Sequence, residues 1–248
     1  MADSFGDGKM LKTLKLNNNQ IKGQIPAGIG KLWNLVEFDI SNNHLTGSLP
    51  SEVQDMVTLQ TLKLNSNELQ HGLPAEVGYL NDLTVLDISD NGIESVPKEL
   101  FHLGNLQVLS LSSNRILGSL PSEIGLATSL VALDLSNNLF SDELPAEMGF
   151  LRALEYLYLH SNLFDGTIPA DLSNLYLLRE MDLSNNNFFG DMEPQFCGDR
   201  PDGGNPIEKY KADCLTEDIA FPCATECCDA KNNCCPVGDI ECKLVFSD

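Results

Sequence analysis

An internal repeat dominates this sequence and leaves few folds open to it. The segment LKTLKLNNNQIKGQIP at Leu11 recurs in related form seven more times along the chain. The eight copies begin at residues 11, 35, 59, 83, 106, 130, 154 and 178, so the period is 24 residues, with one interval of 23 after Leu83. A period of this length indicates an elongated array in which each unit packs against its neighbours.

Each copy contains a short stretch in which apolar and polar residues alternate, as at Leu14 and Leu16. This alternation predicts a β-strand with one buried face, and one strand cannot bury that face by itself. Eight strands stacked in parallel at roughly 4.8 Å would bury it between neighbouring units and form a curved sheet roughly 35 Å long.

An asparagine follows each predicted strand, at the point where the chain must turn. Its side-chain amide can donate to and accept from buried loop backbone, where each unsatisfied group would cost about 1–3 kcal/mol. We therefore predict a structural asparagine ladder and not a set of ligand contacts. Its members are Asn19, Asn43, Asn67, Asn91, Asn114, Asn138, Asn162 and Asn186.

The consensus L-x-x-L-x-L-x-x-N-x-L, continued by L-x-G-x-I-P, resembles the leucine-rich repeat, and in particular the plant-type subclass of receptor ectodomains and polygalacturonase-inhibiting proteins. The resemblance implies an α/β fold class: a right-handed horseshoe with a parallel concave sheet and short 3-10 or irregular convex segments. We divide the chain into a short N-terminal remnant at 1–10, eight repeats at 11–196 and a cysteine-rich C-terminal cap at 197–248.

Several positions after the predicted strand depart from the repeat consensus. His71 and Asp142 replace a recurrent glycine, and we expect irregular convex loops there. The core position under the turn changes from aliphatic residues to Phe140, Phe164 and Phe188, which predicts a wider interior at that end.

The cysteines form a single cluster within the last 52 residues. An even and dense cluster predicts a disulfide framework made in an oxidising compartment, and we interpret it as the cap that covers the last repeat. A zinc site is the alternative, which the CC pairs and the lack of histidines in this segment disfavour. The cysteines are Cys197, Cys214, Cys223, Cys227, Cys228, Cys234, Cys235 and Cys242.

Strand residues that alternate with the leucines point to the concave face, which offers an extended binding surface in proteins of this shape. Most are short and polar, but one strand places Tyr156, Tyr158 and His160 side by side, with Asp134 and Asp182 on the flanking strands. Tyrosine is enriched at binding hot spots because it combines a large area with a polar tip. We predict a ligand surface here; an aromatic cluster without a partner is the alternative.

The other end of the concave face is mixed in charge, and Lys63 and Asp87 are candidate ligand contacts there. Because the two ends differ in chemistry, we expect them to contact different parts of a ligand.

Charge and hydropathy exclude several classes of partner. The 36 acidic residues against 15 basic ones give a formal net charge of -21, which repels nucleic acid and anionic membranes. The sequence contains no run of eighteen apolar residues, so we do not expect direct membrane insertion. An enzyme is also disfavoured, because Asp134 and Asp182, roughly 9.5 Å apart on ladder spacing, would sit on an open sheet that does not exclude water.

We therefore predict a non-catalytic module without metal or cofactor that binds a protein, a peptide or a carbohydrate on its concave face, of the receptor-like or defence type. A secreted enzyme inhibitor or a structural extracellular-matrix or cell-wall protein is the alternative. Signalling would require a separate membrane co-receptor. We expect an extracellular or cell-surface location and, because residues 1–10 contain no signal peptide, a fragment or processed form.

Overall fold

The computed structural model describes residues 10–189 and, beyond them, the backbone of three strands at 209–213, 226–228 and 234–236. The predicted disulfides and most of the predicted cap lie outside the described residues, as does the predicted N-terminal remnant up to residue 9.

A parallel sheet runs along the repeats, and each repeat contributes one three-residue strand. Neighbouring strands pair without a shift of register, as Asp134 with Tyr158 and Tyr158 with Asp182. This arrangement confirms the predicted parallel solenoid. The strands are Thr13–Lys15, Glu37–Asp39, Thr61–Lys63, Val85–Asp87, Val108–Ser110, Ala132–Asp134, Tyr156–Tyr158 and Glu180–Asp182.

Three further strands extend this sheet beyond the last repeat. Lys209–Asp213 pairs in parallel with Glu180–Asp182, and Glu226–Cys228 pairs in parallel with Lys209–Asp213. Cys234–Pro236 is antiparallel to its neighbour. The edge of the last repeat is therefore paired with backbone from the same chain, which satisfies its hydrogen-bonding groups.

Seven short 3-10 helices form the opposite, convex side in the described part of the chain. Each begins directly after a proline whose φ lies between -60° and -77°, the extended conformation in which the proline ring is unstrained. The predicted 3-10 segments are thus confirmed. The helices are Ala27–Lys31, Ser51–Asp55, Ala75–Tyr79, Lys98–His102, Ser122–Leu126, Ala146–Phe150 and Ala170–Asn174.

Two smaller parallel sheets lie between the asparagine turns and the 3-10 helices, where the sequence predicted irregular segments. Their strands pair because the backbone stays extended at the same place in successive repeats. The first of these sheets ends in the repeat that begins at Leu83, and the second begins in the next repeat. The repeat at Leu83 has 23 residues, and the missing residue falls in the segment that forms these strands. The strands are Lys22–Gly23, His44–Gly47, Glu68–Gly72 and Gly92–Ser95 in one sheet, and Leu117–Ser119, Leu139–Glu143 and Leu163–Asp165 in the other.

Strands replace the loops that we expected at His71 and Asp142; the pairing is regular at Asp142, whereas it shifts in register between His71 and Gly72. Both residues lie within strands of the smaller sheets, and they adopt φ values of 67° and 66°. Gly118 has the same left-handed conformation, with φ of 87°. Pairing with the neighbouring repeats imposes this backbone conformation, and a residue other than glycine at this position is therefore strained.

Replacing His71 by glycine is therefore expected to stabilise the protein by about 0.5–1 kcal/mol, since relief of about 1–2 kcal/mol of left-handed strain exceeds the greater entropy that glycine loses on folding. The His71 side chain is exposed, so little packing is lost. Gly118→Ala is the matched control and should destabilise by about 1–2 kcal/mol, because an added Cβ there meets no atom within 4 Å and only the backbone is strained. Urea unfolding measures both changes; a destabilising His71→Gly would contradict the strain.

The core is a column of leucines and related residues that is continuous from the first helix to the last repeat. At its C-terminal end the rings of Phe140, Phe164 and Phe188 stack nearly parallel, with centroid distances of 5.7 and 6.1 Å. Each repeat thus buries its apolar face against the next one, as a solenoid requires.

Seven of the eight asparagines that follow the strands connect successive repeats by side-chain hydrogen bonds. From Asn43 onward, the Oδ1 atom accepts from a backbone N–H of the preceding repeat at 2.9–3.2 Å. The Nδ2 atom donates to a carbonyl of the preceding repeat at 2.9–3.1 Å. Asn19, in the first repeat, instead donates to the carbonyls of Leu16 and Asn17 within its own turn.

Candidate ligand-binding face

The concave face is formed by the two outward residues of each strand and the residue after the next leucine. Repetition places equivalent residues in rows across the sheet, at roughly 4.8 Å from strand to strand. Most members of these rows are small or short, including Thr61, Ala132 and Ser112. A large side chain therefore projects above its surroundings on this face.

Tyr156 and Tyr158 are the large residues of one strand, and both are half-buried. The register places Tyr158 between Asp134 and Asp182, and Tyr156 between Ala132 and Glu180. We call Tyr156, Tyr158, His160, Asp134 and Asp182 the aromatic patch. Sequence reasoning grouped these residues, and the pairing of the three strands brings them to one area of the sheet.

The Tyr158 hydroxyl donates a hydrogen bond to Glu180 Oε2 at 2.9 Å. Burial of the phenol, together with this hydrogen bond and the negative charge of Glu180, raises the pKa of Tyr158 to about 12. The ring is consequently neutral and held in one orientation at physiological pH. His160, two residues after Tyr158, is the next residue of this repeat on the concave face, and its Nδ1 atom lies 3.3 Å from Ser161 Oγ.

Both aspartates of the aromatic patch are held in place by a serine two residues later. Ser136 donates to Asp134 Oδ1 through its backbone N–H at 3.0 Å and its hydroxyl at 2.6 Å. Ser184 does the same for Asp182, at 3.1 and 2.6 Å. One oxygen of each carboxylate is thus committed to its own strand, and the other remains to meet a ligand.

Lys63 and Asp87 are placed apart from the aromatic patch. They are paired in register with each other. Lys63 is four strands from Tyr158, a distance of roughly 19 Å on ladder spacing. Asp87 Oδ1 accepts from the Ser89 backbone and hydroxyl at 3.1 and 2.7 Å. The seven candidate ligand residues therefore form two groups, and one small ligand cannot contact both.

Sequence reasoning placed Glu180 and the two serines on this face but did not include them among the candidate site residues. A usable signal existed for the serines, because Asp-Leu-Ser or Asp-Ile-Ser recurs at the same place in four repeats, beginning at residues 39, 87, 134 and 182. No comparable signal existed for Glu180, since its contact with Tyr158 joins two different repeats.

The side chains of residues 10–189 offer no metal-binding cluster and no membrane-spanning helix. No three His, Cys, Asp or Glu residues there form a group that could hold a metal ion. In the same part of the chain, no helix has the length and apolar character needed to cross a membrane.

Family models of leucine-rich repeats match most of the repeat region. The matched residues are 9–52, 81–140, 153–175 and 177–198, which together exceed half of the chain. No curated protein sequence matches the chain significantly.

Solved structures of receptor ectodomains are similar to this chain. The leucine-rich-repeat ectodomain of the Arabidopsis thaliana membrane receptor kinase GASSHO1/SCHENGEN3, solved with CASPARIAN STRIP INTEGRITY FACTOR 2, is 36% identical with a TM-score of 0.80 over 86% of this chain. The Arabidopsis receptor kinase HAESA, solved with the peptide hormone IDA and the co-receptor SERK1, is 31% identical with a TM-score of 0.74 over 92% of this chain.

A bacterial protein is also similar: a leucine-rich-repeat protein of Leptospira interrogans is 31% identical, with a TM-score of 0.63 over 87% of this chain and 57% of its own. The chain spans 25% and 36% of the two receptor chains. The repeat consensus, the parallel solenoid and these matches agree: the chain belongs to the leucine-rich repeat family and is of the plant type found in receptor ectodomains.

Proposed function

We propose that this chain is a non-catalytic recognition module that binds a peptide or protein ligand on its concave face, centred on the aromatic patch. The observation that carries the proposal is the pair Tyr156 and Tyr158 on an otherwise mostly short and polar surface, with Asp134 and Asp182 on either side of Tyr158 and Glu180 beside Tyr156. Such an arrangement provides a large apolar contact with polar atoms at its edge, as binding hot spots do.

The charges of the aromatic patch favour a cationic ligand. Asp134, Asp182 and Glu180 surround Tyr158, and serine hydrogen bonds hold both aspartates in position before any ligand arrives. A lysine or arginine side chain would meet carboxylate oxygens at its charged end and tyrosine rings along its stem. Because the carboxylates are already oriented, little entropy is lost on binding.

A ligand that also reaches Lys63 and Asp87 must be extended. On ladder spacing, Lys63 is roughly 19 Å and Asp87 roughly 14 Å from Tyr158, and the longer distance is about six residues of extended peptide. A peptide lying along the concave face would therefore place a basic residue at the aromatic patch and an acidic or polar residue near Lys63.

We also propose an extracellular or cell-surface location and a second protein as co-receptor. The similar receptor kinase HAESA was solved with both a peptide hormone and a co-receptor, which supports this part of the proposal. The similarity covers 36% of that chain, so the present chain would correspond to a part of such an ectodomain.

Removing both tyrosines is expected to weaken binding of a concave-face ligand by at least ~2 kcal/mol, about 30-fold in Kd. The ligands for this test are peptides selected from a displayed random library against the parent protein, and we expect them to be enriched in lysine and arginine. Isothermal calorimetry then compares the parent with the Tyr156→Ala/Tyr158→Ala variant. Thermal unfolding of the variant confirms that the repeats still fold.

Tyr79→Ala is the matched control, because Tyr79 is an exposed tyrosine on the convex side and its loss should not change the affinity. The Lys63→Ala variant distinguishes two kinds of ligand: the affinity for a short ligand at the aromatic patch should not change, whereas the affinity for an extended ligand should fall. Equal affinity of the double tyrosine variant and the parent would remove the aromatic patch from the proposal.

A further inference from the structure

A row of apolar side chains crosses the middle of the concave face, on four neighbouring strands. We call Val85, Val108, Ala132 and Tyr156 the apolar row. They are paired in register, Val85 with Val108, Val108 with Ala132, and Ala132 with Tyr156. All four are half-buried. Because Tyr156 belongs to the aromatic patch, the row extends that patch toward the N-terminal repeats.

The fold does not account for the apolar character of this row. Val85 and Val108 are not part of the hydrophobic core, which lies on the other face of the sheet. Four other repeats have polar residues at the same position: Thr13, Glu37, Thr61 and Glu180. Threonine is branched at Cβ as valine is, and it suits a strand as well. A contiguous apolar row in contact with water is therefore a feature of a binding surface and not of the repeat.

A polar row runs beside the apolar row on the same four strands, two residues further along each strand and roughly 6.6 Å away. Its members are Asp87, Ser110, Asp134 and Tyr158, which are also paired in register. Ser89 and Ser136 hold one carboxylate oxygen of Asp87 and Asp134 at 2.7 and 2.6 Å. This part of the concave face thus has an apolar side and an acidic side.

We propose that the ligand is an extended peptide in which apolar and basic residues alternate, and that it lies across these four strands between the two rows. This inference rests on the proposed function and specifies the residue pattern of the ligand. Successive side chains of an extended chain point to opposite sides. One side of the peptide would therefore face the apolar row, and the other would face the polar row.

The spacing of the apolar row fits such a peptide. The four strands span roughly 14 Å, which is the length of about five residues of extended peptide. If the first side chain lies beside Val85, the fifth lies beside Tyr156. The third then lies between Val108 and Ala132, so all three contact the apolar row.

The spacing of the polar row fits the second and fourth residues of the same peptide. The fourth residue is roughly 10 Å along the peptide, and Asp134 is two strands or roughly 9.6 Å from Asp87. The second residue lies between Asp87 and Ser110. Lysine or arginine at these two positions would reach the carboxylates, whereas acidic residues would be repelled by them and by the net charge of -21.

Three blocked pentapeptides test the pattern by NMR titration of the valine methyl resonances. VKVKV is expected to bind with Kd about 1 mM or tighter and to shift the methyl resonances of Val85 and Val108, but not those of Val57, an exposed valine directly after the helix Ser51–Asp55. VVVKK has the same composition and charge without the alternation and should bind at least fivefold more weakly. VEVEV should not bind. Equal affinities for VKVKV and VVVKK would overturn the proposal.

The Val85→Thr/Val108→Thr variant tests the apolar row itself. It should fold with an unchanged melting temperature, because threonine keeps the shape of valine and already occupies this position at Thr13 and Thr61. We expect its affinity for VKVKV to fall at least fivefold, whereas Val57→Thr, the matched control, should bind as the parent does.

Failure of this inference differs from failure of the proposed function. If VKVKV binds the valine variant as tightly as the parent but loses affinity for the Tyr156→Ala/Tyr158→Ala variant, the apolar row is refuted and the aromatic patch remains the binding site. If the peptides selected from the random library are insensitive to the tyrosine variant, the proposed function is refuted and this inference with it.

Discussion

Replacing Asn138 by leucine is expected to destabilise the protein by about 3–5 kcal/mol without a specific loss of ligand binding. The Asn138 side chain is 5% exposed and donates from Nδ2 to the carbonyls of Leu111, Leu135 and Ser136 at 2.9, 3.1 and 3.2 Å. Its Oδ1 atom accepts from the Ile116 N–H at 3.0 Å. Leucine has a similar volume but no polar atom, so these buried groups would lose their partner.

Asn19→Leu is the matched control for this prediction. Asn19 is exposed and its two hydrogen bonds stay within its own turn, where water can replace them. Its substitution should cost less than about 1 kcal/mol. The free energy of unfolding in urea measures both variants, and similar losses for Asn138 and Asn19 would show that the contacts between repeats do not carry the effect.

Replacing Phe164 by alanine is expected to cost about 3–5 kcal/mol, the range for a fully buried aromatic residue. Its ring is inaccessible to solvent and stacks on Phe140 and Phe188 at interplanar angles of 5° and 7°. The truncation would remove both stacking contacts and leave a cavity between two repeats. Because each repeat is stabilised by its neighbours, the loss should also loosen the pairing of the last strand.

Phe164→Leu provides the comparison, because five earlier repeats have isoleucine or leucine at the equivalent core position. We expect a loss of about 1–1.5 kcal/mol, since an aliphatic side chain fills most of the space but cannot stack. Thermal and urea unfolding distinguish the two variants. If alanine cost no more than leucine, the stacked rings would not be important for the cohesion of this end.

Local features of each repeat were predictable because they depend on a few neighbouring residues. The alternation around Leu62 and Leu64 indicated a strand with one buried face, and both leucines are buried. The proline at Pro121 indicated an extended residue before a turn, and a 3-10 helix begins at the next residue. The Tyr156 and Tyr158 pair was also predictable, because alternation alone decides which face a strand residue occupies.

Features that join different repeats were not predictable in the same way. The smaller sheets arise because extended backbone of one repeat meets that of the next, and this pairing replaced the loops expected at His71 and Asp142 with strands, with a register shift retained after His71. The hydrogen bond from Tyr158 to Glu180 also connects two repeats. Sequence spacing identifies the strands of such a contact but not the side-chain conformations that complete it.

The sequence by itself determined the repeat, its strands and helical turns, and the face on which the tyrosines lie, because these follow from the period of apolar residues and from proline and asparagine chemistry. Only the tertiary structure decided that one oxygen of Asp134 is bound by Ser136, that a second strand in each of the first seven repeats forms the smaller sheets, and that Tyr158 is bonded to Glu180. Each of these depends on the distance between stacked units, which a one-dimensional pattern does not contain.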